Sequence, residues 1–194
     1  MMKPKRNKLE QTLYIETARQ RIAEVLFRYP NKEFSLSDLA KEARVKKSNI
    51  GAILNEYYKS GFIEITKLSK IWRIKANQQN WHFQKSKIVY NLNFVYQSGL
   101  VESLADYFKN PKAVVLFGTF RYGYDNTTSD IDIAVESGEV ENYEILSLKE
   151  LAEFEKSIGR KIQIHLFNRK AIDTNLFNNI ANGFVLDGFL EVKK

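Results

Sequence analysis

The chain has no cysteine, and that absence removes disulfides and thiolate metal sites together, so any metal has to be held by oxygen or imidazole. Hard cations are then the expected kind. Long apolar runs are missing too: nothing approaches the roughly 18 residues that span a bilayer. The opening segment MMKPKRNKLEQ has positive charge but lacks the apolar stretch that a secretory leader places after it. These absences give the expectation of a cytoplasmic protein with no membrane partner. Internal repeats, low-complexity tracts and heptads are also missing.

What is present suffices for real cores. Of the 194 residues 44% are hydrophobic, with 13 Phe, 10 Tyr and 2 Trp, which excludes a disordered chain. The length admits one large domain or two small ones, and the charge favours two. Residues 1–90 carry 19 Lys and Arg against 8 Asp and Glu, a net +11, whereas residues 91–194 carry 11 against 15, a net −4. A basic first half suits a polyanionic partner; a solvated, lysine-rich surface is the plainer alternative.

From Thr12 to Arg28 the residues Leu13, Ile15, Ala18, Ile22, Val25 and Leu26 recur mostly at three- and four-residue steps, predicting a helix that Pro30 and Asn31 stop. Ser35 or Ser37 is the expected cap of a second helix burying Leu36, Leu39, Ala40 and Ala43. After RVKKSN, Ser48 or a near neighbour is the expected cap of a third, with Ile50, Ile53, Leu54 and Tyr57 or Tyr58 turned inward and Gly61 at its end. Phe62–Thr66 and Ile71–Ile74, joined by KLSK, predict a hairpin.

Three helices and a hairpin in this order, over residues 12–76, resemble a winged helix-turn-helix. In that fold the third helix enters the major groove and the hairpin touches the backbone or minor groove. The resemblance therefore implies double-stranded DNA as a partner, with Lys46, Lys47, Ser48 and Asn49 at the helix start and Lys67, Lys70 and Arg73 on the wing as DNA-binding residues. The lysines suit phosphate, and Asn49 a base edge. At the same positions, capping by Ser48 and Asn49, solvated lysines and a protein-docking role are the alternatives.

Residues 77–110 have few breakers before Ser98-Gly99, and Leu92, Val95, Tyr96, Leu100, Leu104 and Phe108 are spaced for one long helix or two abutting ones, a connector. His82 reads as a packing or surface histidine. From Pro111 the pattern changes: KAVVLFG predicts a buried strand, SDIDIAVE a second, residues 146–158 a helix ended by Gly159, and KIQIHLF a third strand. A helix, an Asn-Gly turn and a β-prone tail close the chain. The expected fold class is α+β or α/β, with a helical domain at 1–76, a connector at 77–110 and a mixed sheet with flanking helices at 111–194.

The segment LFGTFRYGYDNTTSDIDIAV places two acids on one face of an otherwise buried strand. Side chains alternate in a strand, so Asp130 and Asp132 share a face while Ile131 and Ile133 turn to the core. Two like charges this close repel and lose hydration, and a divalent cation offsets both. Oxygen ligands at this spacing suit Mg²⁺, which takes its remaining ligands from water and substrate phosphates. Gly118 permits close backbone approach, and Thr119 offers a hydroxyl and an N–H where a phosphate can sit.

GTFRYGYDNTTSDIDIAV resembles the signature of the polymerase-β-type nucleotidyltransferase superfamily: a Gly-Ser turn, a second Gly, a loop, then Ser-Asp-x-Asp and apolar residues. It is most similar to the small members called minimal nucleotidyltransferases. The resemblance implies transfer of a nucleoside monophosphate from a nucleoside triphosphate such as ATP to an acceptor hydroxyl. Asp130 and Asp132 would be catalytic and would hold two Mg²⁺ ions. Gly118, Thr119, Arg121, Gly123 and Ser129 would bind the nucleotide. Some minimal nucleotidyltransferases modify a partner HEPN protein, which implies a protein acceptor as one option beside a nucleic acid or a small molecule.

This chain departs from the pattern at three places. Thr119 stands where Ser is usual and keeps the hydroxyl. Tyr122 replaces a basic residue before the second glycine, with Arg121 one place earlier. The third departure is Gln163, where active members usually carry another acid; an amide takes no proton at neutral pH and is a poorer ligand. Gln163 is then a nucleotide-binding candidate. His165 is two residues on and shares its face, as a candidate general base or as an ordinary strand histidine. Glu136 is a more distant substitute. Two functions follow: an Mg²⁺-dependent nucleotidyltransferase with a DNA-binding winged helix, or a DNA-binding regulator whose nucleotidyltransferase domain has lost turnover and serves as nucleotide sensor or interaction module. A homodimer suits a winged helix on a palindrome, although no zipper-like stretch is present.

Overall fold

The computed structural model describes residues 17–68 and 71–192, so Lys70 and the expected first helical turn around Leu13 and Ile15 lie outside the described residues. The chain divides into two compact units, the break falling between Tyr90 and Asn91.

The first unit begins with α1 (Ala18–Arg28), whose N-cap Thr17 accepts the Gln20 N–H at 3.1 Å. In α2 (Leu36–Glu42) the cap is Ser35, whose Oγ accepts the Asp38 N–H at 3.1 Å. Helix α3 (Lys47–Lys59) starts earlier than expected: Lys46 is its N-cap and makes no side-chain capping bond, so Ser48 lies inside the first turn. The strands β1 (Ile63–Leu68) and β2 (Ile71–Ala76) pair antiparallel, each running two residues beyond its expected end. Phe34 exchanges two backbone hydrogen bonds with Ile74, adding a one-residue third strand. Ile22, Leu26, Leu39, Ile50, Leu54, Ile74 and Phe83 close a single core under these elements.

The break falls within α4 (Trp81–Gln97), which is followed after Gly99 by α5 (Leu100–Tyr107). Gly99 has φ 78°, a conformation that lets the chain turn between the two helices. The second unit is built on β3 (Ala113–Phe117), α6 (Gly118–Tyr122), β4 (Ile131–Glu136), β5 (Glu144–Leu146), a 3₁₀ turn (Lys149–Leu151), α7 (Ala152–Ile158), β6 (Ile162–Phe167), α8 (Thr174–Ala181) and β7 (Phe184–Gly188).

Its sheet runs β5-β6-β4-β3-β7, antiparallel except for the parallel pair β4/β6. All five residues of β3 are buried, which is why AVVLF is apolar throughout. One face, with Ala113, Val115, Phe117, Ala134 and Phe167, packs with Ile180 of α8 and Leu190. The other, with Val114, Leu116, Ile131, Ile133, Val135, Ile162 and Ile164, is fully buried as well. The expected helix at 146–158 is only its second half. Leu146 ends β5, and a 3₁₀ turn precedes α7, because the edge of β6 recruits Glu144–Leu146 as a strand.

Candidate functional site

Strand register puts the expected site residues side by side. Asp132 stands opposite Phe117 on one neighbour and Gln163 on the other, and Ala134 stands opposite His165. Asp130 lies one residue before β4, where the Ile131 N–H donates to the Lys161 carbonyl at 2.8 Å and continues the pairing. With a period of two, Asp130, Asp132, Gln163 and His165 occupy one face.

Gln163 Nε2–H donates to Asp130 Oδ2 at 2.5 Å, so the amide at the position expected for an acid holds one carboxylate in place. His165 is buried and has both ring nitrogens engaged, Nε2 with Asp132 Oδ1 at 3.3 Å and Nδ1 with the Tyr143 hydroxyl at 2.6 Å. A carboxylate only accepts, so Nε2 carries the proton and donates, and the Tyr143 O–H donates to Nδ1. Burial, and secondarily the charge of Asp132, push the Tyr143 pKa up, which keeps that phenol protonated. The one lone pair of the imidazole therefore faces Tyr143, and His165 holds Asp132 in place; as a base it has no lone pair directed at the carboxylates.

Gly118 has φ 69°, and a Cβ there would stand 2.1 Å from Asp132 Oδ2. The carboxylate fills the space a side chain would occupy, which explains the glycine on both conformational and steric grounds. Thr119 is exposed, and its carbonyl accepts the Tyr124 N–H at 3.0 Å. Gly123, φ 71°, closes α6. The Ser129 Oγ accepts the Asn126 N–H at 3.0 Å and fixes the entry to β4. The Arg121 guanidinium lies over the rings of Tyr122 and Phe184, at 4.2 and 4.6 Å. Glu136 is buried and bound at both oxygens by Arg169, at 3.1 and 3.0 Å, so it is committed to an ion pair and does not substitute for the acid at 163.

Sequence reasoning did not find Tyr143, nor a buried trio behind the loop. Asn91 Nδ2 donates to the Phe120 carbonyl at 2.8 Å and to Asp125 Oδ1 at 2.9 Å, and Asp125 Oδ2 lies 3.6 Å from Arg160. These three fix the loop between the Gly-Thr turn and the paired acids. A cavity of about 540 Å³ opens beside Asp130, walled by Thr127, Thr128, Lys156, Gly159 and Lys161.

Among the described residues no group of three or more His, Asp or Glu side chains is gathered to hold a metal alone. The two carboxylates, each with one oxygen bonded to a neighbour and one turned elsewhere, suit a hard cation that takes its remaining ligands from water and phosphate.

In the first unit Lys46, Lys47, Ser48 and Asn49 are exposed at the start of α3, with the Ser48 hydroxyl donating to Asn49 Oδ1 at 3.1 Å. Lys67 lies over the Trp72 ring at 4.8 Å, and Arg73 pairs with Glu33 at 3.5 Å.

Residues 100–186 match the family model described as Polymerase beta, Nucleotidyltransferase, which supports that superfamily for the second unit. No curated protein and no solved structure matches the chain. No helix among the described residues is long and apolar enough to cross a membrane.

Proposed function

We propose that the second unit transfers a nucleoside monophosphate from a nucleoside triphosphate to an acceptor hydroxyl. The observation that supports this most directly is the seating of Asp132 Oδ2 against Gly118, which unites the glycine turn and the paired acids in one site. Asp130 and Asp132 would hold Mg²⁺, which when bound polarises the acceptor oxygen and neutralises the leaving pyrophosphate. Gly118 and Thr119 receive the triphosphate, and the acceptor reaches Asp130 through the adjoining cavity. The acceptor oxygen bonds to the α-phosphorus as the bond to the β-phosphate bridging oxygen breaks and pyrophosphate leaves. The hydroxyl proton passes to water, since Gln163 cannot take it, the His165 lone pair points at Tyr143 and the second oxygen of Asp130 is the one that would hold Mg²⁺.

The first unit is read as a winged helix that brings the chain to duplex DNA through Lys46, Lys47, Ser48, Asn49, Lys67 and Arg73. A second reading, a DNA-bound regulator whose second unit senses nucleotide without turnover, is favoured by the bond from Gln163 to Asp130, which occupies an acid's position with an amide. Incubation with labelled nucleoside triphosphates and Mg²⁺, wild type beside Asp132→Asn, separates the two. Label transfer that the variant loses supports the enzyme. Mg²⁺-dependent triphosphate binding without transfer, together with duplex binding that weakens steeply with salt, supports the regulator.

A further inference from the structure

Two large aromatic side chains stand exposed at the end of α6 and just beyond it. Tyr122 and Tyr124 are 40% and 62% exposed, and their rings stack with centroids 6.2 Å apart at an interplanar angle of 25°. Exposed tyrosines usually rotate freely, and these are held. The Arg121 guanidinium lies over both Tyr122 and Phe184, joining the pair to β7. The Tyr124 N–H donates to the Thr119 carbonyl at 3.0 Å and the Gly123 N–H to the Phe120 carbonyl at 3.3 Å. The Phe120 carbonyl is gripped in turn by buried Asn91. Rings fixed before a ligand arrives lose little entropy on binding one.

Their position relates them to the carboxylates. Tyr122 lies four residues, one helical turn, beyond Gly118, which touches Asp132. Phe184 pairs with Leu116 and so turns to the face opposite Asp132, and what ties the tyrosines to the Gly-Thr turn is the bond from the Tyr124 N–H to the Thr119 carbonyl. A flat ring stacked on the tyrosines can therefore belong to a molecule whose phosphates lie at Gly118 and Thr119.

We infer that Tyr122 and Tyr124 form a stacking platform for a nucleobase. This rests on the proposed function for the placement of the phosphates and adds a separate site for the base. Stacking uses the π-face that every base has, so the platform senses that a base is present and discriminates little among bases.

Calorimetry on the full chain with Mg²⁺ and three probes tests it: α,β-methylene-ATP, inorganic tripolyphosphate and a single-stranded oligothymidine. Tyr122→Ala and Tyr124→Ala are expected to weaken binding of the ATP analogue about tenfold, with Tyr→Phe variants close to wild type and tripolyphosphate affinity unchanged. A loss confined to the oligonucleotide assigns the stacked base to the acceptor strand instead of the triphosphate. Alanine variants that bind both base-containing probes as tightly as wild type overturn the platform. Uptake of tripolyphosphate, and its loss in Asp132→Asn, reports separately on the phosphate site: a wild type that ignores tripolyphosphate sinks the nucleotidyl-transfer reading, while the oligonucleotide arm still decides the platform.

Discussion

His165 Nε2 lies 3.3 Å from Asp132 Oδ1, and its other nitrogen is closed off by Tyr143. The imidazole therefore orients a carboxylate, as partners behind a metal ligand do. His165→Ala is expected to lower Mg²⁺-dependent tripolyphosphate affinity about 10- to 100-fold, and Tyr143→Phe to lower it less, because the His165 ring stays packed against Phe117. Titrating Mg²⁺ at fixed tripolyphosphate gives both values.

Gln163→Glu exchanges a donor for a second acceptor beside Asp130. Loss of the hydrogen bond and like-charge repulsion are expected to cost about 1–3 kcal/mol without metal. Mg²⁺ should restore much of the thermal stability, and nucleotidyl transfer should rise. Melting curves with and without Mg²⁺, beside the transfer assay, check both parts.

Gly118→Ala sets a methyl group where Asp132 Oδ2 now sits, at a φ of 69° that alanine adopts at a cost. The strain is expected to be about 1–3 kcal/mol, and the displaced carboxylate should lose Mg²⁺-dependent triphosphate uptake altogether. Denaturant unfolding measures the first effect and calorimetry the second.

Asp125→Ala removes one member of a buried ion pair and leaves the Arg160 charge in a site closed to water. A destabilisation of about 3–5 kcal/mol is expected. Asp125→Asn keeps a carbonyl acceptor for Asn91 and should fall between this variant and wild type in urea unfolding.

Tyr57 is raised from 10.0 to about 12, first by burial, with Arg19 opposing and Glu56 adding to the shift. The folded state holds this proton more tightly than the unfolded state does. The contribution is fully present below pH 10 and is lost as pH rises towards about 12. Tyr57→Phe should flatten that alkaline fall, measured by thermal unfolding from about pH 9 to about pH 12.

The carboxylate face was legible because a strand's period of two fixes which side chains share a side: Asp130, Asp132, Gln163 and His165 follow from two short stretches read separately. Tyr143 and the Asn91–Asp125–Arg160 trio were not legible, since each acts through partners 22 to 35 positions away that only the folded chain brings near. Local spacing misled in two places. Leu146 and Leu148 continue a helical pattern, yet pairing with β6 takes Glu144–Leu146 into the sheet. Ser48 has cap chemistry, but α3 starts one residue before it. Glu136 shares the right face, and nothing in its neighbourhood announces that Arg169 will bind it.

The sheet order gives β7 a timing role. Among the described residues it is the last strand, yet it lies against β3, the first described strand of its unit. On the ribosome, β3 can gather β4, then β6 and β5, while one of its edges stays bare until Phe184–Gly188 emerges. A nascent chain stalled before that point presents an apolar strand ready to pair with a neighbour, so chaperone capture should peak over this interval of translation.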